Sequence, residues 1–332
     1  MTEAGVIGGG SWGSAFALHL GRLRVKTRLW VREKEVLEDL RKTRQNSVFL
    51  PGHAFPSSVS FSEDIKDTAR SAEVLFIAVP SRFCRQIFWD IVPSLSRDQI
   101  VVSLTKGLEE GSLKRMTEVM EDIFAAHSLP HLAVLSGPSF AREVADRHPT
   151  AVVIASKELN FAKAVQHLVS NIYFRAYTSK DIIGVELAGA SKNVIALAAG
   201  ISDSLKFGHN SRAALITRGI AELTRLGAKL GATKKTFLGL AGIGDLVLTC
   251  TAKLSRNYHV GYELGKGRPL SDILSEMKMV AEGVSTTISV RDLARRENVE
   301  MPIAEEVYKI LYENKSPKES LRDLMLRKLK VE

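Results

Sequence analysis

Cysteine is nearly absent: Cys84 and Cys250 are the only two in 332 residues, far apart and in neither a C-x-x-C nor a zinc-type spacing. That argues against a disulfide framework and for a reducing compartment. Long apolar runs are missing too. Glu186 and Lys192 interrupt the best candidate before it reaches the roughly 18 residues that cross a bilayer, so no stable membrane insertion is expected. The first apolar run starts by Ala4, which leaves no room for a secretion signal, and the expected location is cytoplasmic. Blocks of like charge and basic residues interleaved with aromatics are also lacking. The net charge of +9 is therefore read as a solvated surface plus a phosphate-seeking site, with no nucleic-acid partner. His127 and His131 stand four apart, but Pro130 breaks any helix that would align them and no carboxylate joins them, so no metal is expected. No Ser-His-Asp or Cys-His arrangement can be assembled.

What is present is a chain of two-domain length with 45% hydrophobic residues. Short β-rich runs at 4–7, 26–31, 59–61, 74–79, 100–104, 133–135, 151–155 and 174–177 alternate with helical patterns. That alternation predicts parallel βαβ units, hence a doubly wound, mostly parallel sheet. After about Asp181 the β-rich runs stop. Ala, Leu, Glu and Lys at helical spacing take over, with Gly200, Gly208, Gly231 and Pro269 as breaks, which predicts an all-helical C-terminal domain. The expected boundaries are 1–182 and 183–332. No Gly/Ser linker separates the halves, so a cleft between them is the expected place for ligands.

The most informative motif opens the chain. Gly8, Gly10 and Gly13 stand in G-x-G-x-x-G spacing between a β-rich run and a helical pattern, the context of a Rossmann-type dinucleotide turn. Gly8 allows the tight turn, Gly10 lets backbone approach a pyrophosphate, and Gly13 lets helix and strand pack closely. The pyrophosphate would rest on the helix N-terminus. About 20 residues on, where an acidic residue would hold the ribose 2′-hydroxyl of NAD, the chain offers Arg32. A guanidinium suits a 2′-phosphate, which favours NADP(H); Glu33 follows and could restore NAD(H) by a shift of one position.

Further strand ends carry Val79-Pro80-Ser81, Thr105-Lys106-Gly107 and Ser136-Gly137-Pro138-Ser139-Phe140. Lys106 puts an ammonium where an anionic substrate would lie. Residues 186–200 place Ala188, Lys192, Ala196 and Ala199 on one helical face. A lysine among small apolar groups is poorly solvated, which pulls it toward neutrality and suits general acid/base work; the alternative is a core-helix lysine that snorkels to water. A second glycine-rich segment, 239–250, has no β run before it and is not read as a nucleotide turn. Its Asp245 sits among apolar groups and calls for a cationic partner such as Lys192. Ser255, Arg256 and Asn257 then combine a guanidinium with two neutral hydrogen-bonding groups, suited to a phosphate monoester. Residues 317–330 read as a basic amphipathic helix with Leu321, Leu324, Met325 and Leu329 on one face, packed on its own domain.

Taken together, Gly8-x-Gly10-Ser11-Trp12-Gly13, Thr105-Lys106-Gly107, Ser136 to Ala141, Lys192-Asn193, Gly242-x-Gly244-Asp245-Leu246 through Thr249, and Ser255-Arg256-Asn257 run in register from Ile7 to about Glu282. In that order and spacing they closely resemble the NAD(P)-dependent glycerol-3-phosphate dehydrogenases of bacteria. The resemblance implies reversible hydride transfer between NAD(P)H and dihydroxyacetone phosphate, giving sn-glycerol 3-phosphate for phospholipid synthesis. It further implies that Ser11, Trp12, Arg32, Ala141, Val280 and Glu282 contact the cofactor. Lys106, Gly137, Ser139, Asp245, Ser255, Arg256 and Asn257 would hold substrate, with Lys106 and Arg256 also near the cofactor. Lys192 would be the proton donor and acceptor, Asp245 would orient it, and Lys106 would add positive charge beside the reacting oxygen. A homodimer is implied as well. Gly9 departs from the alanine frequent there, a change expected to leave the pyrophosphate unobstructed. Two rival readings stay open on the residues: a β-hydroxyacid dehydrogenase, which shares the architecture and a catalytic lysine but takes a carboxylate, and a non-catalytic nucleotide-sensing or nucleic-acid-binding module, which leaves Lys192 and Asp245 unexplained.

Overall fold

All eight β-rich runs pair into one sheet in the computed structural model, which describes residues 2–127, 130–277, 279–329 and 331. Across the sheet the order is Phe174–Ser179, Thr150–Ala155, His131–Ser136, Ile100–Ser103, Val74–Ile77, Glu3–Ile7, Lys26–Trp30 and Val59–Ser62. Neighbours are parallel except His131–Ser136 against Thr150–Ala155, so the last two strands in the chain run opposite to the other six. The sheet is therefore mostly parallel, as expected.

Its strands read as near-continuous apolar runs because both faces are covered. Ala4, Val6, Val74, Phe76 and Val102 point into a core shared with Phe16 and Leu20 of helix Ser11–Arg22. Their neighbours Ile7, Leu75, Ile77 and Val101 point to the other face, where Cys84, Phe88, Met116 and Met120 of helices Ser81–Ile91 and Met116–Phe124 meet them. This period of two across a helix-sandwiched sheet makes the fold doubly wound. A two-stranded hairpin, Gln45–Asn46 with Leu50–Ala54, was not legible in the sequence, being too short and too polar to alternate.

The chain divides into two compact units, one of Met1–Glu109 and Lys114–Glu186, the other of Glu110–Leu113 and Leu187–Glu332. Beyond Ser179 the described residues form helices and no strand. Helix Ile182–Ser204 corrects two expectations. Glu186 and Lys192 do not interrupt its apolar run, since an 18-residue window of it has a mean hydropathy of 1.4, yet 89% of that window is buried inside the protein, where its apolarity is satisfied. Gly200 lies within this helix and does not break it; a glycine costs a helix only about 1 kcal/mol, which the Ala and Leu around it outweigh. Gly208, Gly231 and Pro269 do mark helix ends. The C-terminal helix stops early, at Pro317–Met325. Leu321 and Leu324 are partly covered while Met325 and Leu329 stand exposed, and Lys330 lies outside the described residues.

Two buried glutamates tie helix starts. Glu186 accepts from the Thr117 backbone N–H at 2.9 Å and from Arg115 at 2.6 Å, and burial raises its carboxyl pKa. Glu222, on helix Gly208–Lys229, accepts from the backbone N–H groups of Ile303 and Ala304 at 2.8 and 3.4 Å, so it caps helix Pro302–Tyr312 from outside. Burial pushes the Glu222 carboxyl up from 4.5 to about 7. A carboxyl raised on folding binds more protons in the folded state, so its contribution is fully present below pH 4.5 and is lost as pH rises through about 7. We expect denaturant unfolding to show stability declining from pH 5 to pH 8, with up to about 3 kcal/mol of that decline absent in Glu222→Gln. Parallel profiles for the two proteins would remove Glu222 from the account.

Candidate active site

In the first unit the glycine turn has the stereochemistry its spacing demands. Gly8 has φ +123°, and a Cβ there would lie 2.6 Å from the Ala78 carbonyl oxygen. A Cβ on Gly13 would lie 2.0 Å from the Gly8 carbonyl oxygen, so helix Ser11–Arg22 sits against the strand as only glycine permits. A Cβ on Gly10, by contrast, would meet nothing within 4 Å, which leaves open space over the start of the helix. Gly10 is the N-cap and has no side-chain cap, so the first-turn N–H groups face that space with the positive end of the helix dipole. The indole Nε1 of Trp12 is buried without a hydrogen-bond partner among the described residues. An uncapped helix start, an open approach and an unsatisfied donor together fit a dinucleotide pyrophosphate.

Sequence reasoning missed two supports of this turn. A Cβ on Gly9 would lie 2.8 Å from Val31 Cγ1, so glycine at this position is matched to a valine packed on it. Asn46, fully buried in the short hairpin, donates through Nδ2 to the Gly9 carbonyl at 2.8 Å and to Ser14 Oγ at 2.9 Å, and accepts from the Phe49 N–H at 2.9 Å. No spacing rule points to an asparagine 37 residues from its partner.

The remaining first-unit candidates gather at the same carboxyl edge of the sheet, because the strands that precede them are parallel. Lys106 Nζ donates to the Gly137 carbonyl at 2.9 Å, and Ser139 Oγ donates to the same oxygen at 2.9 Å. Gly137 has φ +143°, and a Cβ there would lie 3.0 Å from Val152 Cα, so the turn before helix Ala141–Ala145 also needs glycine. Thr105 Oγ1 ties this loop to the next strand end by donating to Val79 O at 2.8 Å. Arg32 stands exposed two residues past its strand and donates through Nε and a terminal nitrogen to Glu33 Oε1, at 3.1 and 2.8 Å.

The second unit holds the other candidates. Lys192 Nζ donates to Asp245 Oδ1 and to Thr249 Oγ1, both at 2.6 Å, and the Thr249 hydroxyl donates to the Asp245 carbonyl at 2.6 Å. All three side chains are buried. The carboxylate offsets the cost of burying the ammonium, so each charge needs the other. The lysine therefore does not snorkel to water. Asp245 opens helix Asp245–Thr251 after a stretch of π-helix, Leu240–Gly244, in which a Cβ on Gly242 would lie 2.1 Å from the Phe237 carbonyl. Cys250, one residue past Thr249, is buried and its thiol is pushed up to about 12, too high to act as a thiolate.

Glycine-mediated contact brings the phosphate candidates toward this helix. Helix Arg256–Gly265 crosses Ile182–Ser204 where a Cβ on Gly261 would lie 2.0 Å from Leu197 O, and one on Gly200 would lie 2.1 Å from Tyr258 O. Ser255 is the N-cap of that helix, accepting from the Tyr258 N–H at 3.2 Å. Asn257 Oδ1 accepts from the Gly283 N–H at 2.8 Å, which orients its amide and fixes the start of helix Glu282–Arg296. Arg256 donates to the Val280 carbonyl at 2.7 Å, and burial of its guanidinium lowers its pKa. Arg256, Val280 and Glu282 are thus joined through one loop.

Comparison with known proteins agrees across the whole length. A family model described as the NAD-dependent glycerol-3-phosphate dehydrogenase N-terminus matches residues 3–162, and its C-terminal counterpart matches residues 181–322. The chain is 52% identical to the glycerol-3-phosphate dehydrogenase [NAD(P)+] of Syntrophobacter fumaroxidans over 99% of this chain and 96% of that one. Against the protein of the same name from Syntrophotalea carbinolica the identity is 50%, over 99% and 98%. The solved structure of glycerol-3-phosphate dehydrogenase from Coxiella burnetii superposes with a TM-score of 0.94 at 37% identity, covering 98% of this chain and 99% of that one.

Proposed function

The chain belongs to the NAD-dependent glycerol-3-phosphate dehydrogenase family, and from that premise we propose that Lys192 is the proton donor and acceptor in the interconversion of dihydroxyacetone phosphate and sn-glycerol 3-phosphate. The protein is an NAD(P)-dependent oxidoreductase. When bound, the reduced cofactor supplies a hydride to the C2 carbonyl carbon. Lys192 Nζ gives one proton to the C2 oxygen, so the hydride ends in a new C2–H bond and the proton in the new O–H bond of the secondary alcohol; in the reverse direction Lys192 takes that proton back.

The observation that carries this reading is the buried Lys192, Asp245 and Thr249 group, with both Lys192 contacts at 2.6 Å. The carboxylate and the hydroxyl orient the ammonium, which as a donor can give a proton to the substrate oxygen. Arg256 and Asn257, at the start of a helix capped by Ser255, suit the phosphate, the guanidinium by charge and the amide by its remaining donor. Lys106 contributes further positive charge, and Gly137 and Ser139 shape the strand end that holds it. Gly8, Gly10, Ser11, Trp12 and Gly13 would hold the pyrophosphate, with Ala141, Val280 and Glu282 as further cofactor contacts. The family resemblance supports a cytoplasmic homodimer whose product feeds phospholipid synthesis.

The test is spectrophotometric. Purified protein is expected to oxidise NADPH or NADH at 340 nm only when dihydroxyacetone phosphate is added. Turnover of a 3-oxo acid in place of that substrate would overturn the reading.

A further inference from the structure

Two guanidinium groups lie over one aromatic ring beside the glycine turn. Arg32 Cζ is 5.2 Å and Arg82 Cζ 4.7 Å from the centroid of the Phe83 ring. Their strands explain the meeting. Arg32 follows Lys26–Trp30 and Arg82 follows Val74–Ile77, and these two strands flank Glu3–Ile7, which carries Gly8 to Gly13. The ribose of a dinucleotide lies over the end of the second strand in this fold, so the cluster stands where the 2′ substituent would be.

The two arginines are not equivalent. Arg32 already donates twice to Glu33. Arg82, exposed in the first turn of helix Ser81–Ile91, meets the ring and no acceptor among the described residues, and that turn holds no acidic residue. Arg85, one turn along, is spent on Glu109, with two contacts at 2.6 Å. A phosphate arriving here would meet one guanidinium neutralised by a carboxylate and one that is not. The cation–π contacts with Phe83 restrain both guanidinium groups, which lowers the ordering cost of binding.

We propose that Arg82 is a second anchor of the NADP(H) 2′-phosphate, acting with Arg32 across Phe83, and that Glu33 serves NAD(H) at the same place by accepting from the 2′-hydroxyl. This rests on the dinucleotide reading of the glycine turn. With Arg32 balanced by Glu33, Arg82 sets the preference between the two cofactors. It touches no reacting atom, so it governs cofactor choice and leaves the chemistry alone.

The test compares kcat/KM for NADPH and for NADH, with dihydroxyacetone phosphate saturating, in wild type, Arg82→Ala, Arg32→Ala and Glu33→Gln. Inhibition by 2′,5′-ADP and by 5′-ADP is measured alongside. Arg82→Ala is expected to lose roughly 10- to 100-fold with NADPH and to bind 2′,5′-ADP correspondingly worse, a charged hydrogen bond's worth of discrimination. Its values for NADH and 5′-ADP should stay within about threefold, and its melting temperature should not move. Glu33→Gln should do the reverse, weakening NADH use. Equal losses with both cofactors would show a structural role and overturn the assignment. Loss of preference in Arg32→Ala with none in Arg82→Ala would overturn it while leaving the cofactor site intact. A wild type that binds 2′,5′-ADP no tighter than 5′-ADP would overturn the NADP(H) preference itself, whatever Arg82 does.

Discussion

Lys192→Met is expected to lower kcat for dihydroxyacetone phosphate reduction by roughly 10²- to 10⁴-fold, the range a positioned general acid supplies, while cofactor affinity stays unchanged. Methionine keeps the apolar stem and removes the proton. It also removes the cation paired with Asp245, a carboxylate 1% exposed. Breaking a buried ion pair on one side costs about 3–5 kcal/mol, so the single variant should also be less stable. The double variant Lys192→Met with Asp245→Asn separates the two effects. It should recover most of that stability and none of the turnover. Turnover within a few-fold of wild type in the single variant, or recovery of activity in the double one, would assign proton transfer elsewhere.

The second large effect should come from adding one methyl group. Gly261→Ala lies in the interior of a helix, where alanine is ordinarily better than glycine by about 1 kcal/mol. Here the new Cβ would meet Leu197 O at 2.0 Å and Leu197 C at 2.8 Å, backbone atoms that cannot swing aside. Helices Ile182–Ser204 and Arg256–Gly265 must then separate, at about 1–3 kcal/mol or more. The same separation carries Arg256 and Asn257 away from Lys192, and a displacement of about 1 Å between such groups can cost about 10²-fold in rate. Gly239→Ala is the control, because its Cβ would find its nearest neighbour, Thr236 O, at an ordinary 3.4 Å. Urea unfolding and steady-state kinetics on both variants read the outcome. A Gly261→Ala protein as stable and as active as Gly239→Ala would mean that the crossing is not what holds the site together.

Much of this was legible in the chain itself. The alternation of apolar runs located every strand of the large sheet, because a strand buried on both faces needs such a run whatever its neighbours are. Gly8, Gly10 and Gly13 named the turn through local stereochemistry: a positive φ, a missing Cβ and a close helix each act within a few residues. Asp245 announced its need for a cation because an acid among apolar groups is costly anywhere. Less local features were misjudged. Gly200 reads as a break when taken with its sequence neighbours, yet its purpose is set by Tyr258, which lies on another helix. Glu186 and Lys192 read as interruptions of an apolar run, yet helix Ile182–Ser204 keeps a long apolar window because that window is buried inside the protein.

The doubly wound sheet, the helical second half, the dinucleotide turn and the lysine proposed to react are thus written locally in the chain, since each follows from periodicity, backbone stereochemistry or the cost of desolvation acting within a short stretch. That Lys192 Nζ meets Asp245 and Thr249 at 2.6 Å, that Asn46 braces Gly9 from 37 residues away, and that Arg32 and Arg82 share one ring emerges from the folded arrangement alone. These depend on which helices and strands lie side by side. Such choices are made by packing over the whole unit, and no local pattern in the chain encodes them.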